Sequence, residues 1–284
     1  MKASALIDAI VREDVVAAPD REVVSTLSVN DVAVKKEKNV LLVDHEDSFV
    51  HTLANYLRQT GQQPTTSRCI ERAAFRSHHE LTLLYSLVPG ATVVVCRSGK
   101  SLDQFVRDVV DTGSFVPDIC VLSPGPGSPS DFFLSNTIDA MIKRKVPIFG
   151  VCLGLQGLFE YFGGELGILD YPMHGKPSVI SRSFSDGEGA GHGAYTGAPH
   201  FDVLKGLPDQ FQVARYHSLH GTMATLPGSL TVTASVDDVI MAIQHKQYPI
   251  AAVQFHPESL LTLPKNGMKI LENALEILST KHYT

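Results

Sequence analysis

The sequence predicts an α/β fold in which an open, mostly parallel sheet is flanked by helices and extended by additional C-terminal strands. Between residues 39 and 161, short apolar runs rich in β-branched residues alternate with helix-like runs. Strands that alternate with helices pair in parallel and form a sheet covered on both faces. Beyond Gly164 the chain becomes more strand-like, which indicates the added strands.

The elements are predicted in chain order from hydrophobic periodicity and stop signals. A buried strand begins at Asn39 in NVLLVD, and the next run places Phe49, Leu53, Tyr56 and Leu57 on one helical face, with Gly61 as the stop. Further strands are predicted at Thr92–Val95, Ile119–Leu122 and Ile148–Val151, and helices at Leu102–Val110, Asp131–Arg144 and Leu153–Tyr161. The later strands lie in SVISRSF, FQVARYHSL, LTVTASV, VIMAIQH and IAAVQFH, and the last helix is Met268–Leu278.

Residues 1–38 are predicted to be an N-terminal extension or linker. They have no strong periodic pattern beyond a possible short helix near Ala5–Val15, and they end in a charged run. The glycine-rich segment SDGEGAGHGAYTGAPH is predicted to be a surface loop, because its spacing is unlike that of a dinucleotide-binding turn. Residues 39–284 would then form the functional domain.

Composition and charge exclude two classes of protein. The formal net charge is −6 and no basic stripe with interleaved aromatic residues is present, which argues against a nucleic-acid-binding protein. No apolar run is long enough to cross a bilayer, and the N-terminus is too acidic for a transit peptide. We therefore expect a soluble, cytoplasmic protein without a membrane or nucleic-acid partner.

The four cysteines form no C-x-x-C pair, so reduced thiols are expected rather than a disulfide framework. Cys96 and Cys120 lie in short β-branched runs, where a thiol acts as a small apolar side chain. Cys69 follows a possible strand and has no evident partner. Three of the four are therefore predicted to be structural.

Cys152 differs, because it lies in PIFGVCLGLQGL between Gly150 and Gly154, after an apolar strand and before a helix. Glycines on both sides are typical of a sharp strand-to-helix turn that has no room for neighbouring Cβ atoms. The start of a helix supplies partial positive charge that favours a thiolate. The pattern predicts that Cys152 is a nucleophile.

A nucleophilic thiol needs a base, and the best candidate is in AAVQFHPES, where a strand leads to His256 and Glu258 lies two residues further on. Cys152, His256 and Glu258 are therefore the predicted catalytic triad. The other candidate histidines, which are more typical of surface or loop-bracing positions, are His45, His78, His79, His217 and His220. No histidine or cysteine spacing matches a metal site, so no metal is predicted.

Attack on an acyl carbon produces an oxyanion that two backbone N–H groups can stabilise. The amide of Leu153, at the start of the helix, is one candidate donor. The other is in SPGPGSP, where Gly125 and Gly127 permit close approach of the main chain and the prolines stiffen the loop. Taken alone, this segment is equally consistent with a rigid turn between a strand and a helix.

In this order, the motifs SPGPGSP, GVCLGLQ, RYHSL and QFHPES resemble those of the class I, or triad, glutamine amidotransferase family. The resemblance runs from about Asn39 to the C-terminus and is strongest to the glutaminase components of anthranilate synthase and aminodeoxychorismate synthase. The segments VLLVDHEDSFVHTLANYLRQTG and MHGKPS look most like the glutaminase half of fused anthranilate synthases. The resemblance implies a flavodoxin-like sheet and makes 39–284 a type 1 glutamine amidotransferase domain.

The resemblance also implies an activity. Cys152 would attack the side-chain amide of L-glutamine, and water activated by His256 would release glutamate from the thioester. The implied glutamine contacts are Gly125, Pro126, Gly127, Leu153, Gln156, Ser218 and Leu219. The ammonia would pass to a chorismate-using synthase, either as a separate chain or as a fused domain, here that of anthranilate synthase in tryptophan biosynthesis. No cofactor is expected in this domain, and Mg²⁺ is expected only in the synthase.

Other functions stay open on the sequence alone. They are the glutaminase of aminodeoxychorismate synthase or a related enzyme, a thiol hydrolase of γ-glutamyl peptides, and a non-catalytic regulatory subunit. The intact triad argues against the last of these. Three departures from the family pattern are Leu155, where many relatives have histidine, and expanded segments near 78–101 and 182–200. The expanded segments bear on partner docking more than on catalysis.

Overall fold

The computed structural model describes residues 38–60, 73–77, 80–85, 91–183, 201–262 and 266–280. The strands are β1 Lys38–Asp44, β2 Ala73–Ser77, β3 Glu80–Tyr85, β4 Ala91–Arg97, β5 Ile119–Leu122, β6 Ile148–Val151, β7 Leu166–Arg182, β8 Gln210–Gly221, β9 Leu230–Val236, β10 Val239–His245 and β11 Ile250–Val253. The α-helices are α1 Val50–Gln59, α2 Lys100–Phe105, α3 Leu134–Lys143, α4 Leu153–Tyr161 and α5 Asn266–Asn273. Short 3₁₀ turns lie at Pro129–Phe132 and Met223–Thr225, and π-helical turns at Val106–Val110 and Ala274–Leu278.

The described strands form one 11-stranded sheet in the order β2-β3-β4-β1-β5-β6-β11-β10-β9-β7-β8. The central strands β4, β1, β5, β6 and β11 pair in parallel, and the strands on both sides of them pair antiparallel. The predicted α/β fold with flanking helices and C-terminal strands is confirmed, and its parallel part is this centre. The carboxyl ends of the central strands meet at one edge, where sites in such sheets are expected.

Two hydrophobic layers cover the sheet, and β1 shows why. Its side chains alternate, so that Val40 and Leu42 pack in the layer that contains α1 and α5, while Leu41 and Val43 pack in the layer that contains α2, α3 and α4. All four of these side chains are fully buried. A strand buried on both faces has a continuous apolar sequence rather than an alternating one, which is the pattern in NVLLVD.

Some predicted elements have different bounds in the structure. The predicted helix Asp131–Arg144 is divided at Phe133, whose φ of 53° is left-handed, so a 3₁₀ turn precedes α3. Phe49, predicted on the buried face of a helix, lies just before α1 and is half-buried. The strand predicted to continue to His256 ends at Val253, three residues earlier. β7 extends well upstream of the predicted SVISRSF.

Several predictions fall on residues outside those that the structure describes. They are the helix near Ala5–Val15, the residues Cys69, His78 and His79, and the surface loop between residues 184 and 200. Of the segment 78–101, predicted to be expanded, β4 is a parallel strand beside β1, whereas β3 extends the sheet outward from β4.

Candidate active site

Cys152 lies on a strained turn between β6 and α4. Its φ of 53° and ψ of −100° are unusual for a residue with a side chain, and it caps the N-terminus of α4. The flanking glycines are required by space: a Cβ on Gly150 would lie 2.7 Å from the backbone of Gly154, and one on Gly154 would lie 2.6 Å from the carbonyl of Leu122. The predicted reason for the two glycines is therefore confirmed.

The partner strand β11 holds this turn from the other side. The amide of Cys152 donates to the carbonyl of Val253 at 2.8 Å, which continues the parallel pairing of β6 and β11. Because both strands end at this edge, the segment after β11, which contains His256 and Glu258, lies beside the turn. Sheet order thus brings together two segments that are about one hundred residues apart.

His256 and Glu258 form a buried pair. The Nδ1 atom of His256 lies 2.6 Å from Oε1 of Glu258, and the two residues are 2% and 1% exposed. The backbone amide of His256 donates to the carbonyl of Ala214 in β8 at 3.1 Å, and the hydroxyl of Thr262 donates to the carbonyl of His256 at 2.7 Å. The imidazole is therefore held by its own backbone as well as by the carboxylate.

The environment favours a protonated His256. Burial lowers the pKa of the ring, but the Glu258 carboxylate and the nearby Cys152 thiol raise it, so that the pKa lies well above its usual 6.5. Nε2 of His256 is buried and makes no hydrogen bond within the described part of the chain. This nitrogen is the one that can exchange a proton with a reacting group.

Two aromatic rings bracket the imidazole. The ring centroids of Phe49 and Tyr216 lie 5.7 Å and 4.8 Å from that of His256, both in edge-to-face geometry. The carboxylate of Asp47, which accepts from the amide of Phe49 at 2.6 Å, has a raised pKa, chiefly because it is partly buried and also because Glu258 is near. The loop after β1 therefore contributes to the site, which sequence reasoning did not anticipate.

The loop that contains Gly125 packs against the start of α4, as the predicted oxyanion arrangement requires. A Cβ on Gly125 would lie 2.5 Å from the side chain of Leu153 and 2.9 Å from the carbonyl of His45. Gly125 is half-buried, whereas Pro126 and Gly127 are exposed. The first amides of a helix have no partner within the helix, so the amide of Leu153 can serve an external acceptor.

His45 and Ser123 anchor this loop from below. The amide of His45 donates to Oγ of Ser123 at 3.0 Å, and its Nδ1 lies 3.1 Å from the carbonyl of Ser123. A carbonyl only accepts, so Nδ1 has the proton and the ring is neutral. Burial lowers the pKa of His45 to about 4. His45 braces the loop, as predicted for the histidines outside the triad, but it is fully buried rather than on the surface.

The neutral, buried state of His45 predicts a loss of stability in acid. The native pKa of about 4 is below the usual 6.5, so between these values the unfolded chain binds a proton that the folded protein does not. From about pH 7 to about pH 5 this residue should reduce the free energy of unfolding by about 2 kcal/mol. Urea denaturation of wild-type and His45→Asn proteins at both pH values measures the difference.

The asparagine amide in His45→Asn can replace the Nδ1 donor but does not titrate near neutral pH. The loss of stability between the two pH values should therefore be smaller in this variant by about 2 kcal/mol. Identical losses in the two proteins would show that protonation of His45 does not oppose folding.

The remaining predicted glutamine contacts lie on α4 and β8. Gln156 is buried, and its Nε2 donates to the carbonyl of Leu219 at 3.0 Å. Ser218 and Leu219 are half-buried on β8, opposite a bulge in β7. Leu155 is fully buried on α4. One buried neighbour was missed: the side chain of Gln254 donates to Sγ of Cys152 at 3.5 Å. The signal in the sequence was a single amide within the apolar run AAVQFH.

The other cysteines and histidines of the described residues have structural environments. Cys96 and Cys120 are fully buried in the core, and burial strongly raises the pKa of the Cys120 thiol. His217 is buried and its pKa is lowered to about 3, chiefly by burial and then by Arg215, so it stays neutral. Among these residues no group of three or more His, Cys, Asp or Glu side chains has the arrangement of a metal site.

Comparison with known proteins identifies the family. Residues 41–277 match the protein family described as Glutamine amidotransferase class-I. The chain belongs to this family. As a class I glutamine amidotransferase it is 36% identical to anthranilate synthase component 2 of Azospirillum brasilense, over 83% of this chain and 94% of that protein. It is also 34% identical to anthranilate synthase component 2 of Haemophilus influenzae, over 84% of this chain and 97% of that protein.

Longer relatives of this amidotransferase contain additional domains. The chain is 41% identical to the anthranilate synthase of Azospirillum brasilense but spans 26% of its length. A Thermoplasma acidophilum protein, assigned to GMP synthase as one of its subunits, has the same fold, with a TM-score of 0.60 and 20% identity over 87% of this chain and 96% of that one. No helix among the described residues is both long enough and apolar enough to cross a membrane.

Proposed function

We propose that this amidotransferase hydrolyses L-glutamine to glutamate and ammonia and supplies the ammonia to a chorismate-using synthase, that of anthranilate synthase. The observation that supports the chemistry is the strained Cys152 turn at the N-terminus of α4, beside the buried pair of His256 and Glu258. A residue in such a conformation costs stability, and strain of this kind is concentrated at functional sites.

In the proposed mechanism, Sγ of Cys152 attacks the side-chain amide carbon of glutamine while Nε2 of His256 holds the thiol proton. The charge that develops on the amide oxygen is stabilised by backbone amides at Leu153 and in the Gly125 loop. The imidazolium then gives its proton to the departing ammonia, which leaves a γ-glutamyl thioester. Water, deprotonated by the neutral imidazole, attacks the thioester and releases glutamate and the thiol. Glu258 keeps the imidazole oriented and stabilises its charged form throughout.

Discrimination for glutamine is assigned to groups around this turn. Gln156 and the segment Ser218–Leu219 lie on the two elements next to Cys152 and offer amide, hydroxyl and carbonyl groups. Sites built to hydrogen-bond a ligand reject analogues that lack the matching groups, because buried polar atoms would then be left unpaired. We assign these groups, with Gly125, Pro126 and Gly127, to glutamine binding. No cofactor is required by this chemistry, and Mg²⁺ is assigned to the synthase.

The identity of the synthase is inferred from relatives. Those named anthranilate synthase component 2 are covered almost completely by this chain, whereas the Pichia angusta multifunctional tryptophan biosynthesis protein is covered over 52% of its length. The partner is accordingly a separate chain or a fused domain. An aminodeoxychorismate synthase partner would use the same glutaminase chemistry, because the choice of product is made in the synthase.

The test combines this chain with the synthase component of an anthranilate synthase, chorismate and Mg²⁺, and follows anthranilate fluorescence. We expect glutamine to support product formation only when both chains are present, and ammonium salts to support it with the synthase alone. Addition of this chain without any gain in glutamine-dependent product would refute the assignment to anthranilate synthase. Hydrolysis of γ-glutamyl peptides without a synthase would favour the peptide hydrolase.

A further inference from the structure

A line of buried hydrogen bonds connects β8 to the sulfur of Cys152. Nε of Arg215 donates to Nε2 of His217 at 3.0 Å, and Nδ1 of the same ring lies 2.9 Å from the carbonyl of Leu219. That carbonyl also accepts from Nε2 of Gln156 at 3.0 Å. The guanidinium can only donate, so the ring must accept at Nε2 and donate at Nδ1. The neutral state of His217 agrees with this assignment.

The carbonyl of Leu219 determines how the two glutamine amides are turned. Because a carbonyl only accepts, the NH₂ group of Gln156 must face it. The same NH₂ group lies 3.4 Å from Oε1 of Gln254, so Gln254 directs its oxygen toward Gln156. Its own NH₂ group then faces Sγ of Cys152 at 3.5 Å. A flipped amide at either glutamine would place two donors or two acceptors together.

We propose that Gln254 is a positioning residue of the site, which donates a hydrogen bond to the sulfur of Cys152 and stabilises the thiolate form. A hydrogen bond donated to an ionised group favours that form over the neutral one. The contact also restrains the side chain of Cys152 and connects it to Gln156, which is assigned to substrate binding. The catalytic consequence rests on the proposed function, but the contact with the sulfur does not.

The position of Gln254 suits this task. It is fully buried, and its backbone amide donates to the carbonyl of Met241 at 2.9 Å, so the residue is held by the neighbouring strand β10. A buried amide without partners would cost about 1 to 3 kcal/mol, and an apolar residue would fit this apolar segment at no such cost. The two hydrogen bonds to Cys152 and Gln156 satisfy the side chain in the place where it is needed.

The chain provides a matched control in Gln244. This residue is also a buried glutamine, 3% exposed, and its Oε1 accepts from the amide of Phe201 at 3.1 Å. It pairs with Ala251 near the start of β11, at the opposite edge of the sheet from Cys152. Replacing it removes a buried amide of the same kind without changing a group next to the sulfur.

The experiment measures the rate at which iodoacetamide alkylates Cys152 at neutral pH in the full chain, with mass spectrometry to confirm the modified residue. Gln254→Met, similar in shape but without a donor, should react about tenfold more slowly than the wild type, the ratio expected when a hydrogen bond to a charged group is lost. Gln254→Glu, which places a carboxylate against the sulfur, should react more slowly still. Gln244→Met should react at the wild-type rate.

Alkaline pH separates a positioning role from a general structural one. Where the thiol is ionised in every variant, the rate for Gln254→Met should approach the wild-type rate. Unchanged alkylation in both Gln254 variants, or equal slowing in Gln244→Met, would overturn the proposal. If Gln254→Met does not fold, as judged by its thermal unfolding, Gln254→Glu alone decides in the same way. Because alkylation uses no glutamine, the result is independent of whether the glutaminase assignment is correct.

Discussion

Replacing Cys152 with serine is expected to lower glutamine-dependent product formation by about four orders of magnitude or more, while ammonia-dependent formation by the synthase continues. A serine hydroxyl is far less acidic than a thiol, so the imidazole cannot produce a comparable nucleophile at neutral pH. The measurement is anthranilate fluorescence with the synthase present, with glutamine or ammonium salt as the nitrogen source. The backbone strain at this position stays the same, so the variant reports on the sulfur.

Cys120 provides the control for this prediction. It is a fully buried thiol in β5 whose pKa is strongly raised by burial, and it contributes to packing rather than to the turn. Cys120→Ala should therefore retain glutamine-dependent activity. If Cys152→Ser eliminated ammonia-dependent synthesis as well, the separation of ammonia release and synthesis between two sites would be wrong.

Replacing His256 with glutamine is expected to lower kcat for glutamine hydrolysis by about two to four orders of magnitude with little change in glutamine binding. The glutamine amide can remain hydrogen-bonded to Glu258 but cannot accept the thiol proton. Steady-state kinetics with the synthase present gives kcat, and calorimetry with the inactive protein gives the affinity for glutamine. A loss of affinity with kcat unchanged would assign His256 to substrate binding instead.

His245 is the matched control for His256. It is also buried, and its Nδ1 accepts from the amides of Gln247 and Tyr248 at 3.0 Å and 2.8 Å, so it braces a turn at the opposite edge of the sheet. His245→Asn should keep kcat within a factor of about three if the protein folds, because no reacting group is near. Equal losses in the two variants would point to destabilisation of the sheet rather than to proton transfer.

The features that sequence reasoning predicted are those encoded within a few residues. The turn at Cys152 follows from two glycines that leave space for it, and the pairing of His256 with Glu258 follows from their spacing of two. The central strands are recognisable because burial on both faces requires continuous apolar runs. These signals are local, so periodicity and spacing are sufficient to find them.

Only the tertiary structure decided which distant segments meet. Gln254 and Cys152 are 102 residues apart, and their contact exists because β11 pairs with β6, an order that no local pattern specifies. Phe49 looked like part of an apolar helical face, yet it precedes α1 and contacts His256. The sequence by itself therefore determined the reacting groups and the turn that presents the thiol. Sheet order determined their surroundings, because long-range contacts depend on how all the strands pack together.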